Sequence, residues 1–311
     1  MDNLSTGFRS NLDAIGDDVD FLHGDLREPD VCARAVDGVE IVFHLAALAS
    51  VPRSIKDPIG SHEHNVTATL NLLEACRRAG VRRVVYSSSS SVYGDAPVLP
   101  KVESAEPLPR SPYAVAKLAG EQYVLAYARA GLVEGVALRY FNVFGPRQDP
   151  NGPYAAVIPQ FLRAARDGIS VPLYGDGAQT RDFTYVDNVV AANLLAATQP
   201  AERASGWTVN CGAGQRTSLL ELIALAEDVT GRPIRVVEHP PRDGDVRDSL
   251  ASLERARAVI GYEPSVTLLD GLRRTWEWMA SEAEPKKRDE DDSPPTTSPQ
   301  ANVGSRATAL S

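Results

Sequence analysis

Residues 84–94 read VVYSSSSSVYG, and residues 111–121 read SPYAVAKLAGE. The first run, Val84–Tyr86, is apolar and rich in β-branched and aromatic residues, the pattern of a buried strand. It ends in five serines, Ser87 to Ser91. Tyr113 and Lys117 stand four positions apart at the start of a helical pattern, a spacing that sets a phenol and an ammonium on one helix face. A cation beside a phenol favours the phenolate, so Tyr113 is expected to titrate below its usual value of about 10. A serine hydroxyl at the strand's carboxyl end then shares the same substrate oxygen. Together these make a proton-transfer device for an alcohol or ketone. Each piece alone has a plainer reading: Tyr-x-x-x-Lys occurs by chance, and a serine run is a polar loop. The conjunction of strand, serines, Val-Tyr-Gly, Pro-rich loop and Ser-Pro-Tyr-x-x-x-Lys is what points to chemistry.

Outward from this stretch, strands alternate with helices. Strands are expected at Asp20–His23, Glu40–Leu45, Arg83–Ser88, Glu134–Tyr140 and Trp207–Cys211. Helices are expected at Asp30–Val36, His62–Ala79, Tyr113–Ala130 and Val186–Ala197. Such alternation builds a parallel sheet covered by helices on both faces. Ligands then bind at the carboxyl ends of the strands, where Asp25, Ala46-Ala47, the serines and Tyr140-Phe141-Asn142 fall. After Asn142 the chain turns rich in Gly and Pro, with one helix at about Ala155–Asp167. Ser218-Leu-Leu-Glu221 is a capping box opening another helix. Ile234–Glu238 reads as a short strand, and Leu253–Ile260 and Leu268–Ala283 as helices. The fold class is α/β, with residues 1–141 and 183–212 in one domain and 142–182 and 213–283 in a smaller one. Residues 284–311 lack aromatics and carry several prolines, so this tail is expected to be disordered.

The bulk numbers fit that outline. A chain of 311 residues with 43% hydrophobic content can bury a sizeable core. Its net charge of −9 argues against nucleic acid or an anionic membrane as partner. Cys32, Cys76 and Cys211 lack metal-ligand spacing and are expected as buried free thiols in a reducing compartment. No apolar run reaches membrane-spanning length, and the polar first residues do not form a signal peptide. A cytoplasmic protein is the expectation.

The joined motif resembles the extended short-chain dehydrogenase/reductase family, and within it the NAD-dependent epimerases and dehydratases of nucleotide sugars. The resemblance covers nearly all of residues 2 to 280. It implies a Rossmann-type sheet, NAD as cofactor, a UDP-sugar substrate and a homodimer formed through helices His62–Ala79 and Tyr113–Ala130. Members of that family begin with a strand and a Gly-x-x-Gly-x-x-Gly turn that holds the cofactor pyrophosphate. An acidic residue about twenty positions later holds the adenosine ribose. Asp2, in DNLSTG, matches that acidic residue, so the first strand and glycine turn are expected before Met1, outside this sequence. Met1 is accordingly expected to be a misplaced start or a truncation, the alternatives being a decayed paralogue or a domain completed by another chain. The 311-residue chain as written is expected to bind NAD weakly or to be insoluble.

By the same resemblance, Ser89 is the active-site serine, Tyr113 the catalytic base and Lys117 the lysine on the nicotinamide ribose. Asp2, Asn3, Asp25, Leu26, Leu45, Ala46, Ala47, Asn65, Ser87 and Tyr140 are the remaining cofactor contacts; plain core packing stands as the alternative for Leu45–Ala47. Ser88, Ser89, Asn142, Tyr174, Arg181, Arg242, Asp245 and Ser249 are the substrate contacts. Arginines suit a diphosphate because their donors form a planar fork, with a surface salt bridge as the alternative reading for each. No metal site is expected. The family's 4,6-dehydratases carry Asp-Glu after the active-site Ser/Thr, where this chain has Ser90-Ser91. That favours 4-epimerisation of a UDP-hexose, with Ser249, a small residue, admitting N-acetylated sugars. Two rivals stand beside it: another nucleotide-sugar reductase or dehydratase, and a non-catalytic cofactor-binding or scaffold protein.

Overall fold

The computed structural model describes residues 1–13, 15–151, 155–240 and 246–281. Arg242, Asp245 and the 284–311 segment lie outside the described residues. The chain opens with Asp2 bridged in parallel to His23. Then come α1 (Pro29–Ala35), β1 (Ile41–His44), the short helices α2 (Val51–Lys56) and α3 (Pro58–His62), and α4 (Ala68–Ala79). The motif stretch forms β2 (Arg83–Ser89) and α5 (Pro112–Arg129), followed by β3 (Glu134–Tyr140). Next are β4 (Asn142–Phe144), α6 (Val157–Asp167), β5 (Ser170–Tyr174), β6 (Thr180–Arg181), β7 (Phe183–Tyr185), α7 (Val186–Thr198) and α8 (Ala201–Ala204). β8 (Trp207–Cys211), β9 (Thr217–Ser218), α9 (Leu219–Thr230), β10 (Arg235–His239), α10 (Glu254–Ile260) and α11 (Leu268–Ser281) complete it.

The main sheet has the order β1-β2-β3-β8, all parallel. Its central strands are apolar without alternation because both faces are covered. Val84, Tyr86 and Ala137 enter one cluster with Val31's neighbour Cys32, Leu72 and Cys76 of α1 and α4. Val85, Val136 and Leu138 enter the opposite cluster with Val189 and Ala192 of α7. The period of two along each strand thus feeds two cores. A third cluster, built on Phe144, Phe161, Leu222 and Leu272, serves α6, α9 and α11. Small pairs surround it: β5 with β10, β4 with β7, and β6 with β9. Helix α10 buries Ala256, Val259 and Ile260 against the sheet-side cluster rather than the third one.

Two local features explain where the motif helix begins and how closely it packs. Ser111 Oγ accepts the Ala114 N–H at 3.1 Å and Pro112 fills the first helical position, so α5 starts one residue before Tyr113. A Cβ at Gly120 would run into the Tyr86 hydroxyl, so only glycine lets α5 lie this close to β2. The expected capping box at α9 is present in both halves: the Glu221 N–H donates to Ser218 Oγ at 3.2 Å and the Ser218 N–H to Glu221 Oε2 at 2.7 Å. All three cysteines are free and buried. Burial pushes the thiols up, to about 11 for Cys32 and about 12 for Cys76 and Cys211.

Three expectations need correction. Asp20–His23 is not a strand; its share of the ladder is the single bridge to Asp2, made by the Asp2 N–H on Leu22 O (3.2 Å) and the Gly24 N–H on Asp2 O (3.1 Å). Among the described residues no strand joins this bridge to the main sheet, and on the β1 side Phe43 and Leu45 are 39% and 56% exposed. The single helix expected over His62–Ala79 is instead α3, one π turn at Glu63–Thr67, and α4. The Gly/Pro-rich stretches after Asn142 contain β4, β5, β6 and β7, whose ladders come from partners far away in sequence, a context that local propensity does not carry. Among the described residues no helix is long and apolar enough to cross a membrane, and no group of His, Cys, Asp or Glu could hold a metal ion.

Candidate active site

The carboxyl end of β2 and the first turn of α5 bring Ser87, Ser89, Tyr113 and Lys117 together. Ser89 ends the strand in extended conformation and caps a 3-10 turn, Ser90–Tyr93, by accepting the Ser91 N–H at 3.2 Å. That turn closes on Gly94, at φ 53°, where a Cβ would run into the Leu108 carbonyl. This is the physical need behind Val-Tyr-Gly. The Ser89 hydroxyl lies beside the Tyr113 phenol and favours its ionised form. Lys117, 3% exposed, donates from Nζ to Ser87 O at 2.5 Å and Ser87 Oγ at 3.3 Å, with the Tyr86 ring 4.9 Å away.

This geometry reverses the expected titration of Tyr113. Burial pushes its phenol above the ordinary value, and the neighbouring Ser89 hydroxyl offsets only part of that. Lys117 is turned onto Ser87, and burial pushes its ammonium down to about 7. A lysine that is half neutral near pH 7 contributes little field to its neighbour.

Two cavities hold other candidate residues, and Tyr113 lines the second of them. The first is lined by Asp2, Asn3, Asp25, Leu26, Ala46 and Ala47, six of the residues expected on the cofactor, together with Gly24, Leu48 and His64. Asn3 donates to Asp25 Oδ2 at 2.9 Å, and Arg27 grips the same carboxylate through Nε (3.1 Å) and Nη2 (2.9 Å). Burial pushes Asp25 up, but the bonds from Arg27 and Asn3 outweigh it and hold the carboxyl at about 2. Asp2 accepts the Leu4 N–H at 2.7 Å, an acidic residue set at a turn. Asn65 does not line this cavity; buried in the π turn, it accepts the Leu48 N–H at 3.0 Å and donates to Ser61 O at 2.8 Å. It therefore pins the Ala46–Leu48 loop that forms the cavity wall. A π turn is the local deformation that allows such a side chain to reach out of a helix.

The second cavity is a cleft of about 400 Å³. Tyr113, Asn142, Tyr174 and Arg181 line it, with Ser50, Gln160, Phe161 and Gln179. Arg181 Nη1 donates to Thr180 O (2.9 Å) and Arg247 O (3.1 Å), and Tyr174 stacks on His239 at 5.3 Å. The loop between β1 and α2 divides the two cavities: Ala46–Leu48 face the first and Ala49–Pro52 the second. The residues lining the first cavity, small side chains with two carboxylates, suit the adenosine end of a dinucleotide; Lys117 is not among them.

Four residues of the sequence reading are placed elsewhere. Ser88 Oγ donates to Glu121 Oε2 at 2.6 Å, buried beneath the cleft. The Tyr140 hydroxyl is spent on Asn193 of α7 at 2.9 Å. Leu45 is exposed and lies outside the cavity lining. Ser249 is buried, its N–H on Thr180 O at 3.1 Å, and is absent from the lining of the cleft. Sequence reasoning missed Arg27, Glu121 and Arg139. Glu121 carried a signal, since it follows Lys117 by one further helical turn on the same face.

Residues 1–212 match the sequence profile of the NAD dependent epimerase/dehydratase family. The chain is 39% identical over 288 residues to a UDP-glucose 4-epimerase of Mycolicibacterium smegmatis, covering 91% of each. Its structure is similar to a UDP-N-acetylglucosamine 4-epimerase from Methanobrevibacter ruminantium in complex with UDP-N-acetylmuramic acid, with TM-score 0.84, 39% identity, and 90% and 89% of the two chains covered. A Thermus thermophilus UDP-glucose 4-epimerase in complex with NAD gives TM-score 0.82 at 35% identity, with 90% of each chain covered. With the strand–serine–helix constellation folded around two adjoining cavities, this chain belongs to the NAD-dependent epimerase/dehydratase family.

Proposed function

We propose that the protein catalyses NAD-dependent 4-epimerisation of a UDP-hexose through a transient 4-keto sugar. The observation that carries this reading is the position of Tyr113. It lines the cleft shared by Asn142, Tyr174 and Arg181, with Ser89 beside it at the end of β2. Bound NAD would supply the hydride acceptor and donor for C4. The rest is the work of this chain's side chains. Tyr113 removes the proton of the sugar 4-hydroxyl and later gives it back. Ser89 hydrogen-bonds the same oxygen, and Lys117 holds the cofactor ribose. Asp2, Asn3 and Asp25 hold the adenosine end, and Asn142 and Arg181 the substrate diphosphate. Ser90 and Ser91 provide no carboxylate for the dehydration branch.

The test follows C4 inversion of UDP-galactose, then of UDP-N-acetylgalactosamine, by proton NMR with added NAD. It is run with this chain and with its reading frame extended upstream of Met1. Inversion by either form supports the reading; absence of inversion by both overturns it. Arg181→Ala is expected to raise KM for the UDP-sugar roughly 10- to 100-fold with kcat little changed, because hydrogen bonds to charged groups contribute about 1.5–3 kcal/mol. A change confined to kcat would remove Arg181 from the diphosphate.

The same reading includes a homodimer in the cytoplasm. Ile55 and Ile59 beside α5, and Val115 and Tyr123 on it, are exposed apolar side chains on adjoining helices. Three buried free thiols suit a reducing compartment. A sedimentation mass of one chain at micromolar concentration would count against the dimer.

A further inference from the structure

Glu121 continues the stripe of Tyr113 and Lys117 down α5, each four positions from the last. It is fully buried. Its carboxylate takes two parallel bonds from Arg139 of β3, from Nε at 3.0 Å and Nη2 at 2.7 Å. It takes a third from Ser88 Oγ of β2 at 2.6 Å. Ser88 and Arg139 are register partners across the two strands, and the Arg139 guanidinium lies over the Tyr93 ring at 4.7 Å. One point therefore ties α5, β2 and β3 together. None of these groups lines the cleft.

What the tie fixes is the pair of residues flanking Ser88. Ser87 receives Lys117 on its carbonyl at 2.5 Å, and the Ser89 hydroxyl lies beside the Tyr113 phenol. Apolar side chains would hold the helix on the sheet equally well, since a buried ion pair adds little net stability over a packed hydrophobic replacement. A forked, charge-assisted contact differs in being directional: it sets how far the helix sits along the strand. We propose that Glu121, clamped by Arg139, is a positioning residue that acts through Ser88 to set Ser89 against Tyr113 and Ser87 against Lys117. The proposal rests on the reading of Tyr113 and Ser89 as the proton-handling pair.

The test is Ser88→Ala, which removes one hydrogen bond and leaves the Glu121–Arg139 pair intact, so the fold is kept. Ser88→Thr restores the hydroxyl. Expected for Ser88→Ala is a fall in kcat of about 10- to 100-fold, the scale of a misplaced reacting group, with KM within twofold, and recovery in Ser88→Thr. A second readout needs neither substrate nor cofactor. In protein labelled with carbon-13 at tyrosine Cζ, the resonance that disappears in Tyr113→Phe is titrated with pH. Its midpoint is expected to rise in Ser88→Ala, because a displaced Ser89 hydroxyl no longer favours the phenolate. An unchanged midpoint overturns the proposal, whether kcat holds or falls together with thermal stability. A raised midpoint in a protein whose wild type fails to invert UDP-galactose supports the positioning and removes the epimerase reading instead.

Discussion

Tyr113→Phe lowers kcat for C4 inversion by about 10²- to 10⁴-fold, the usual contribution of a positioned acid–base group. The affinity for the UDP-sugar stays within a few-fold of wild type. The ring remains to pack against its surroundings, and only the proton carrier is lost. On the proposed reading the diphosphate is held by Arg181 and Asn142, which line the same cleft. The pH profile sharpens the test. Burial holds the Tyr113 phenol above its ordinary value in the free protein, so the ionised base grows as pH rises and kcat/KM should climb through the alkaline side of neutrality. In the phenylalanine variant that limb is absent. Single-turnover measurements with both proteins at several pH values, beside calorimetric binding of UDP, check the two halves. A variant that loses affinity and keeps its rate would take Tyr113 out of the chemistry.

Lys117→Met gives the second large effect, in two directions at once. Activity falls with the loss of the ribose-holding amine, while the folded chain becomes at least as stable as wild type at pH 7. Burial depresses the folded-state pKa of Lys117 to about 7 from the ordinary lysine value of about 10.5. Below the folded value both states are protonated and the full cost of burying the ammonium is present. Between the two values the unfolded chain binds more protons, so stability rises with pH, and above the unfolded value the cost is gone. A displacement of this size corresponds to a cost on the order of a few kcal/mol at pH 7 and below. The bonds to Ser87 offset part of it, at about 1 kcal/mol for a typical hydrogen bond. Urea melts at pH 6, 8 and 10 should show the methionine variant ahead at pH 6 and the gap closing by pH 10. A variant that is less stable throughout would mean that Lys117 is held charged at no cost.

The sequence carried the main sheet well because its strands are dense in Val, Tyr and Leu and its helices carry caps. Ser111-Pro112 and Ser218-Glu221 marked their helix starts to within a residue. The smaller region was legible in its helices and in β10, expected at Ile234–Glu238 and found at Arg235–His239, and not in its other strands. β6 is two residues long and owes its existence to β9, so Thr180-Arg181 by themselves contain no strand signal. The site divided in the same way. Residue types, spacing and the family resemblance singled out Ser89, Tyr113, Lys117 and Arg181 as candidates. They did not disclose where each polar tip turns, because rotamers answer to neighbours: Ser88 went to Glu121, Tyr140 to Asn193, and Lys117 to a serine carbonyl instead of the tyrosine beside it.

The three buried cysteines have a use beyond packing. A thiol reacts as thiolate, and these are held both out of contact with water and far above neutral titration. Covalent labelling at pH 7 therefore waits for the chain to open around each sulfur. Cys32 and Cys76 belong to the cluster under α1 and α4, and Cys211 to the cluster on the other face of the sheet. A thiol dye followed residue by residue then times the breathing of the two faces separately. If all three label at one rate, the two cores open as a single cooperative unit; if Cys32 and Cys76 label first, the face beside the exposed edge of β1 is the one that opens before the rest.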